Sequence, residues 1–256
     1  DIRPNRLLVM DASGDTIDLP GTETIEPTFG LPAMWVDPDN REEATFKGYT
    51  VVDPATVITT HLTELIRDNM SELLSYVETQ NLLDELPNEH QKLVGEVVPN
   101  QISVGGIQRV LQNLLNERVS IRDLPTILEG ISEACAFTRN VTQITEHVRS
   151  RLARQISEQN STEDNFIPLV TLSAEWEQIF SDSILDQGED KQLSMAPSQL
   201  QRFIGAVRTT LDELADKEDP PVVLTSPTAR PFVRSIIERF RPTTSIMSQN
   251  EPHPKA

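Results

Sequence analysis

A helical pattern of apolar residues dominates the stretch from Gly48 to Val77. Apolar side chains recur there at steps of one, three and four residues, the spacing that gathers them on one face of an α-helix. They are Ile58, Leu62, Leu65, Ile66, Met70, Leu73 and Val77. Asp53 stands at an N-cap position and Pro54 at the first helical position. The pattern therefore predicts one unbroken helix over residues 54–77 that connects two domains.

The residues before this helix predict a small α+β subdomain over residues 1–53. Short apolar and β-branched runs are typical of strands. The predicted strands are Arg6–Met10, Trp35–Val36 and Tyr49–Val52. Leu19-Pro20-Gly21 predicts a turn, and Asn40 is placed to cap a short helix that ends at Gly48.

Residues 78–156 show helical patterns throughout and no strand pattern. Ser103, Asp123 and Asn140 each precede a run of apolar residues at helical spacing, as N-caps do. Pro87 and Pro99 end two shorter helices, because proline cannot continue a helix interior. The loops between these segments are short, so neighbouring helices are expected to pack antiparallel. The sequence therefore predicts an all-helical domain over residues 78–156.

The last part of the chain, residues 166–256, alternates between strand and helix patterns. This alternation favours parallel strands joined by right-handed crossovers. The polar, acidic residues 157–165 predict a linker before it, and Gln187–Lys191 predicts a charged loop within it. The predicted fold class is α+β and multidomain, with a small α+β unit, a central all-helical domain and a C-terminal α/β unit with a small, mostly parallel sheet.

Composition narrows the function classes. The chain has 256 residues and a formal net charge of −18, which argues against binding to nucleic acid or to anionic lipid. One cysteine permits no internal disulfide, and no apolar run approaches the ~20 residues of a membrane-spanning helix. The abrupt start at Asp1 suggests a piece of a longer protein.

Several long segments resemble flagellar export gate proteins, within the flagellar/HR/invasion protein export pore family. They are EPTFGLPAMWV, GYTVVDPATVITTHL, VGGIQRVLQNLLNERVSIRDLPTILEGISE, TEHVRSRLARQI and PPVVLTSPTARPFVRSIIERF. They occur in family order and span nearly the whole chain. The resemblance covers the later part of the family's cytoplasmic module, so residues 54–77 correspond to a remnant of its first cytoplasmic subdomain.

The resemblance implies a docking role without catalysis or a cofactor. Family modules form a nine-membered ring on the cytoplasmic face of the bacterial inner membrane. They bind flagellar export chaperones that carry late substrates, and they work with components of the export ATPase complex. Use in a virulence injectisome is the alternative within the same family.

The resemblance also implies a chaperone-binding dimple beside the start of the predicted long helix. Its positions fall on Met10, Glu26, Phe29, Leu31, Val52, Val57 and Thr60. Relatives often carry Asp three residues before the Phe, whereas this chain carries Glu26. An apolar dimple with a carboxylate and a hydroxyl at its rim suits an aromatic or aliphatic anchor.

The structural alternative is that Phe29, Leu31, Val52 and Val57 are core residues. For Thr60, the alternative is a hydroxyl bonded to its own helix backbone. With the resemblance, the site interpretation is favoured for Phe29 and Thr60, and both interpretations stay open for the others.

The sequence gives little support for a catalytic or metal site. A soluble hydrolase would use His61 or Cys135 as a catalytic group, but neither stands in a recognisable motif. The four histidines lack the spacing of metal ligands, so no metal is expected. Arg118 and Arg122 form a basic pair between two predicted helices. They suit either a solvated loop or an inter-subunit contact in a ring.

Overall fold

The computed structural model describes residues 2–14, 16–188, 190–214 and 219–253. The chain forms two compact units, Asp1–Met70 and Ser71–Ala256, called unit 1 and unit 2 below. Helices and small sheets occur together, and one sheet is parallel, which confirms the predicted fold class. No helix within the described ranges is both long and apolar enough to cross a bilayer.

Unit 1 is built on a four-stranded antiparallel sheet with the order β2-β3-β1-β4. Its elements are β1 (Leu7–Met10), β2 (Gly21–Ile25), β3 (Pro32–Val36), α1 (Arg41–Phe46), β4 (Thr50–Val52) and α2 (Pro54–Asp68). Alternate residues of a strand point to opposite faces, and both faces of β1 are covered. Leu7 and Val9 pack with Ala44 of α1, whereas Leu8 packs with Val57 of α2.

Strand β2 was not predicted from the sequence, which indicated only a turn at Leu19–Gly21. Four of its five residues are exposed, so it lacks the alternation of apolar and polar residues that marks a half-buried strand. Gly21 has a packing role: a Cβ there would lie 2.6 Å from Cγ of Met34 and 2.6 Å from the carbonyl oxygen of Trp35.

The prediction of one helix over residues 54–77 is wrong, because the helix is interrupted twice. Helix α2 ends at Asp68, where the Asn69 side chain donates to the Leu65 carbonyl at 2.7 Å. Ser75 has an extended backbone, and its hydroxyl caps the next helix by accepting from the Glu78 N–H at 3.1 Å. Local capping by two short polar side chains therefore overrides a continuous apolar stripe.

Unit 2 begins with a bundle of helices, and no strand lies between residues 78 and 155, all of which are described. The helices are α3 (Met70–Leu73), which starts at the unit boundary, α4 (Tyr76–Asp84), α5 (Asn88–Val97), α6 (Val104–Asn116), α7 (Leu124–Cys135), α8 (Val141–Arg151) and α9 (Ala153–Asn160). The three predicted caps are confirmed: Ser103, Asp123 and Asn140 each accept a backbone N–H three residues later.

The C-terminal part of unit 2, called the sheet part below, packs helices against a three-stranded parallel sheet with the order β5-β8-β9. Its elements are β5 (Leu169–Thr171), α10 (Ala174–Ser183), β6 (Ile184–Gln187), β7 (Asp190–Leu193), α11 (Pro197–Glu213), β8 (Val222–Thr225), α12 (Arg230–Ile237) and β9 (Ile246–Ser248). The core includes Phe180, Phe203 and Val233. Strands and helices alternate here, and the strands of this sheet are parallel, as the sequence predicts.

One prediction about this part is wrong. The predicted charged loop at Gln187–Lys191 is instead the turn of an antiparallel hairpin formed by β6 and β7. Gly188 has a φ of +72°, which allows the tight reversal, and Glu189 lies outside the described residues. The hairpin is mostly polar and exposed, so its sequence lacks a strand pattern.

The predicted linker over residues 157–165 is also corrected. Its first residues belong to α9, which extends to Asn160. Ser157 is fully buried, and its hydroxyl donates to the Glu251 carbonyl at 2.9 Å. The local sequence does not indicate this contact, because Glu251 lies 94 residues further along the chain.

Candidate functional site

The predicted chaperone-binding residues all lie in unit 1, and three of them share one apolar cluster. Val57 is 3% exposed and packs with Leu8 and Trp35, while Met10 and Val52 pack against the same cluster and are half-buried. Val57 is therefore a core residue that supports the surface from below. Met10 and Val52 leave part of their apolar area accessible to solvent.

Helix α2 presents the next two predicted positions. Asp53 caps it by accepting the Thr56 N–H at 2.9 Å, and Pro54 occupies its first turn. This cap fixes where the helix starts, and so places Val57 inward and Thr60 at a half-buried position one turn later. Within the described residues, the Thr60 hydroxyl makes no bond to its own helix, whereas the neighbouring Thr59 bonds the Ala55 carbonyl at 2.9 Å.

Glu26 builds the turn that carries the aromatic residue. Oε2 of Glu26 accepts the N–H of Thr28 at 2.9 Å and the N–H of Phe29 at 2.6 Å. The Glu26 N–H donates to the Leu31 carbonyl at 2.9 Å, which closes the turn. Gly30 has a φ of +69°, a conformation that favours glycine. The acid three residues before the Phe is thus a capping group for a tight turn.

This turn pushes Phe29 into solvent. Phe29 is 67% exposed, whereas Glu26 is only 4% exposed and Leu31 is half-buried. The core interpretation of Phe29 is therefore wrong, and its role in a binding site stays a prediction. Contact between Phe29 and either Val57 or Thr60 stays a prediction.

The electrostatics of the turn favour an ionised carboxylate. Burial raises the pKa of Glu26, but hydrogen bonds from Phe29 and Thr28, with a smaller electrostatic contribution from the nearby His61, outweigh burial and keep the pKa below its ordinary value. His61 lies on α2, half-buried. His61 interacts electrostatically with the Glu26 carboxylate, which holds the turn. The site therefore carries a negative charge next to an exposed aromatic residue.

The two candidates for a ring contact lie in unit 2. Arg118 follows α6 in a left-handed conformation with a φ of +57°, and its carbonyl accepts the Gln159 side chain at 2.9 Å. Arg122 is exposed in the following loop. Both are surface residues, and their role in a ring contact stays a prediction.

The two residues considered for a hydrolase, as alternatives, lie in different units. His61 belongs to unit 1 and Cys135 to unit 2. Cys135 is buried, and burial raises the pKa of its thiol despite the opposing charge of Arg139. A raised pKa lowers the thiolate fraction, which is the nucleophilic form. Among the described residues, no three His, Cys, Asp or Glu side chains are grouped to hold a metal ion.

The fold is that of a known class of protein. The sequence profile of the FHIPEP family matches residues 1–256, and the chain belongs to that family. The flagellar biosynthesis protein FlhA of Caulobacter vibrioides is 55% identical over the whole chain. The chain spans 37% of the length of that relative.

Solved structures share the fold. The CdsV protein of Chlamydia pneumoniae superposes with a TM-score of 0.83 at 27% identity, over 99% of this chain and 73% of that one. The nonameric SctV-C of EPEC superposes with a TM-score of 0.74 at 24% identity, over 98% of this chain and 76% of that one. The second likeness concerns the fold alone.

Proposed function

We propose that this chain is a docking module of a flagellar protein export gate, and that its unit 1 binds export chaperones carrying late substrates. The observation that carries the proposal is the Glu26 turn, because a buried carboxylate is used there to hold Phe29 67% exposed. An exposed aromatic side chain on a rigid turn is a typical energetic anchor of an interface. The 55% identity to a flagellar relative favours flagellar over injectisome use.

The neighbouring residues suit the same role. Met10, Leu31 and Val52 supply half-buried apolar area, and Thr60 supplies a hydroxyl at the edge. Glu26 acts by positioning Phe29, because its carboxylate accepts the N–H groups of Thr28 and Phe29 and so holds the turn. The partner therefore buries the Phe29 ring in an apolar pocket of its own.

Three further parts of the proposal come from the family. The whole protein lies in the bacterial inner membrane with this module on the cytoplasmic face, and nine copies form a ring. It also cooperates with components of the export ATPase complex. Arg118 and Arg122 are the proposed ring contacts, because they are surface cations on a chain with a net charge of −18.

Calorimetric titration with a purified flagellar chaperone–substrate complex tests the docking role. Phe29→Ala is expected to weaken binding by about 2 kcal/mol, close to 30-fold, while the melting temperature changes little because the ring is not core. Phe46→Ala is the matched control, because Phe46 is 93% exposed on α1 and is not a predicted site residue. Equal affinities for the two variants would contradict the proposal.

A further inference from the structure

A cluster of buried charges joins the helical bundle of unit 2 to its sheet part. Arg149 of α8 donates from Nε to Oε1 of Glu251 at 2.7 Å and from Nη2 to Oε2 at 3.1 Å. Neither side chain is more than 3% exposed. Oε2 of Glu251 also accepts the Ser248 N–H at 3.0 Å, which ties the pair to the end of β9.

Arg230 of α12 makes the second connection. Its Nη1 donates to Oε1 of Glu146 on α8 at 2.7 Å, and its Nη2 bonds Glu117 at the end of α6. Its Nε donates to the Ile246 carbonyl at 3.2 Å. One arginine that is 1% exposed thus bridges two helices of the bundle and a strand of the sheet.

Glu146 is the acid of this cluster that faces a solvent-connected cleft. The cleft has a volume of about 430 Å3 and lies between α8, β7 and α12. Its lining includes Gln143, Glu146, Lys191, Pro231 and Phe232. The Glu146 side chain is 20% exposed, so a proton can reach it without unfolding of the chain.

Charged groups from four neighbouring segments, together with Arg149 of its own helix, surround Glu146. They are Arg149 on α8, Glu117 after α6, Arg230 on α12, Glu251 after β9 and Lys191 on β7. Burial raises the pKa of Glu146 to about 7; Arg230 and Arg149 oppose the rise, and Glu117 and Glu251 add to it. Glu117 behaves oppositely: burial raises its pKa, but Arg230, Arg149 and Arg234 outweigh burial and lower it. The arginines thus favour ionisation of Glu117 and leave Glu146 as the proton acceptor.

We propose that Glu146 is a proton-operated latch, in which one bound proton stabilises the docked arrangement of the helical bundle and the sheet part. When the two parts separate, water reaches the carboxylate and its affinity for a proton falls to the ordinary value. A group that holds its proton more tightly in the docked state favours docking as the pH falls. Docking therefore weakens as the pH rises from about 6 to about 8.

The size of the effect follows from linkage. With a pKa of about 7 when docked and 4.5 when open, opening is about tenfold more frequent at pH 8 than at pH 6. Hydrogen exchange of the 256-residue chain, corrected for intrinsic rates, measures this ratio. The informative peptides cover α8, α12 and β9, whose protection is expected to fall about tenfold between pH 6 and pH 8.

The variant Glu146→Gln mimics the protonated acid and is expected to keep high protection at both pH values. Glu129→Gln is the matched control, because Glu129 is 52% exposed and pairs with Arg151 on the surface. That variant is expected to retain the pH dependence of the parent. Equal protection of the parent chain at pH 6 and pH 8 would overturn the proposal. A tenfold fall in protection that persists in Glu146→Gln would overturn it as well. A 13C titration of the Glu146 carboxyl in the parent gives an independent check, and a midpoint near 4.5 would overturn the proposal.

Discussion

Replacing Glu26 by alanine tests whether this carboxylate holds the exposed aromatic residue in place. The change removes two hydrogen bonds, from Thr28 N–H at 2.9 Å and Phe29 N–H at 2.6 Å, both to one ionised oxygen. A hydrogen bond to a charged group is worth about 1.5–3 kcal/mol net. Water can reach the freed N–H groups beside the exposed Phe29, so the expected loss for unit 1 is at the low end, about 2 kcal/mol.

The assay is urea unfolding followed by tryptophan fluorescence. Trp35 is 4% exposed in unit 1, and Trp176 lies in unit 2, so a Trp176→Phe background isolates the signal of unit 1. With a slope of about 2 kcal/mol per molar, the midpoint of Glu26→Ala is expected to fall by about 1 M. Glu23→Ala is the control, because Glu23 is an exposed residue of β2. Equal midpoints for parent and Glu26→Ala would refute the role of the carboxylate.

The stability difference between the parent and Glu26→Ala is expected to depend on pH. The folded-state pKa of Glu26 is lowered, so its contribution is complete above the ordinary value of 4.5 and is lost as the pH falls through the folded pKa. The stability difference between parent and Glu26→Ala is therefore constant from pH 7 to pH 5 and shrinks at more acidic pH. Glu26→Asp keeps a carboxylate near the turn and is expected to lose less than Glu26→Ala.

Two further substitutions test the packing of each unit. Glu251→Gln removes the carboxylate that accepts two hydrogen bonds from Arg149 and leaves Glu117 as the nearest acid paired with that buried arginine. We expect the free energy of unfolding of unit 2 to fall by about 3 kcal/mol in thermal denaturation, because a buried ion pair is broken. Glu175→Gln, in an exposed pair, should cost less than about 1 kcal/mol. Gly21→Ala forces a methyl group against Met34 and is expected to cost about 1–3 kcal/mol in unit 1, so an unchanged unfolding midpoint would contradict the close approach.

Local patterns predicted the elements that local physics decides. The caps at Ser103, Asp123 and Asn140 were predicted correctly, because a short polar side chain before an apolar helical run specifies a helix start. The same capping rule explains why the prediction of one helix over residues 54–77 is wrong. Ser75 caps a helix inside a continuous apolar stripe, and the sequence pattern gave the stripe more weight than the cap.

Features that depend on distant residues were not predictable in the same way. Arg149 and Glu251 are 102 residues apart, and no local spacing indicates that they pair. Glu251 stands in a short polar segment with no apolar pattern that would indicate burial, yet it is 1% exposed. In the candidate site, the sequence located Glu26 and Phe29 by resemblance, but only the structure shows that the acid holds the turn and the ring is exposed.

Site-specific photo-crosslinking tests the docking role most directly. A benzoylphenylalanine placed at Phe29 retains an aromatic ring on the exposed turn, and the same residue placed at Phe46 provides the control on α1. On irradiation with a chaperone–substrate complex, position 29 is predicted to attach to the chaperone in high yield and position 46 only weakly. Equal yields from the two positions, or a yield from position 46 alone, would contradict docking at the Glu26 turn.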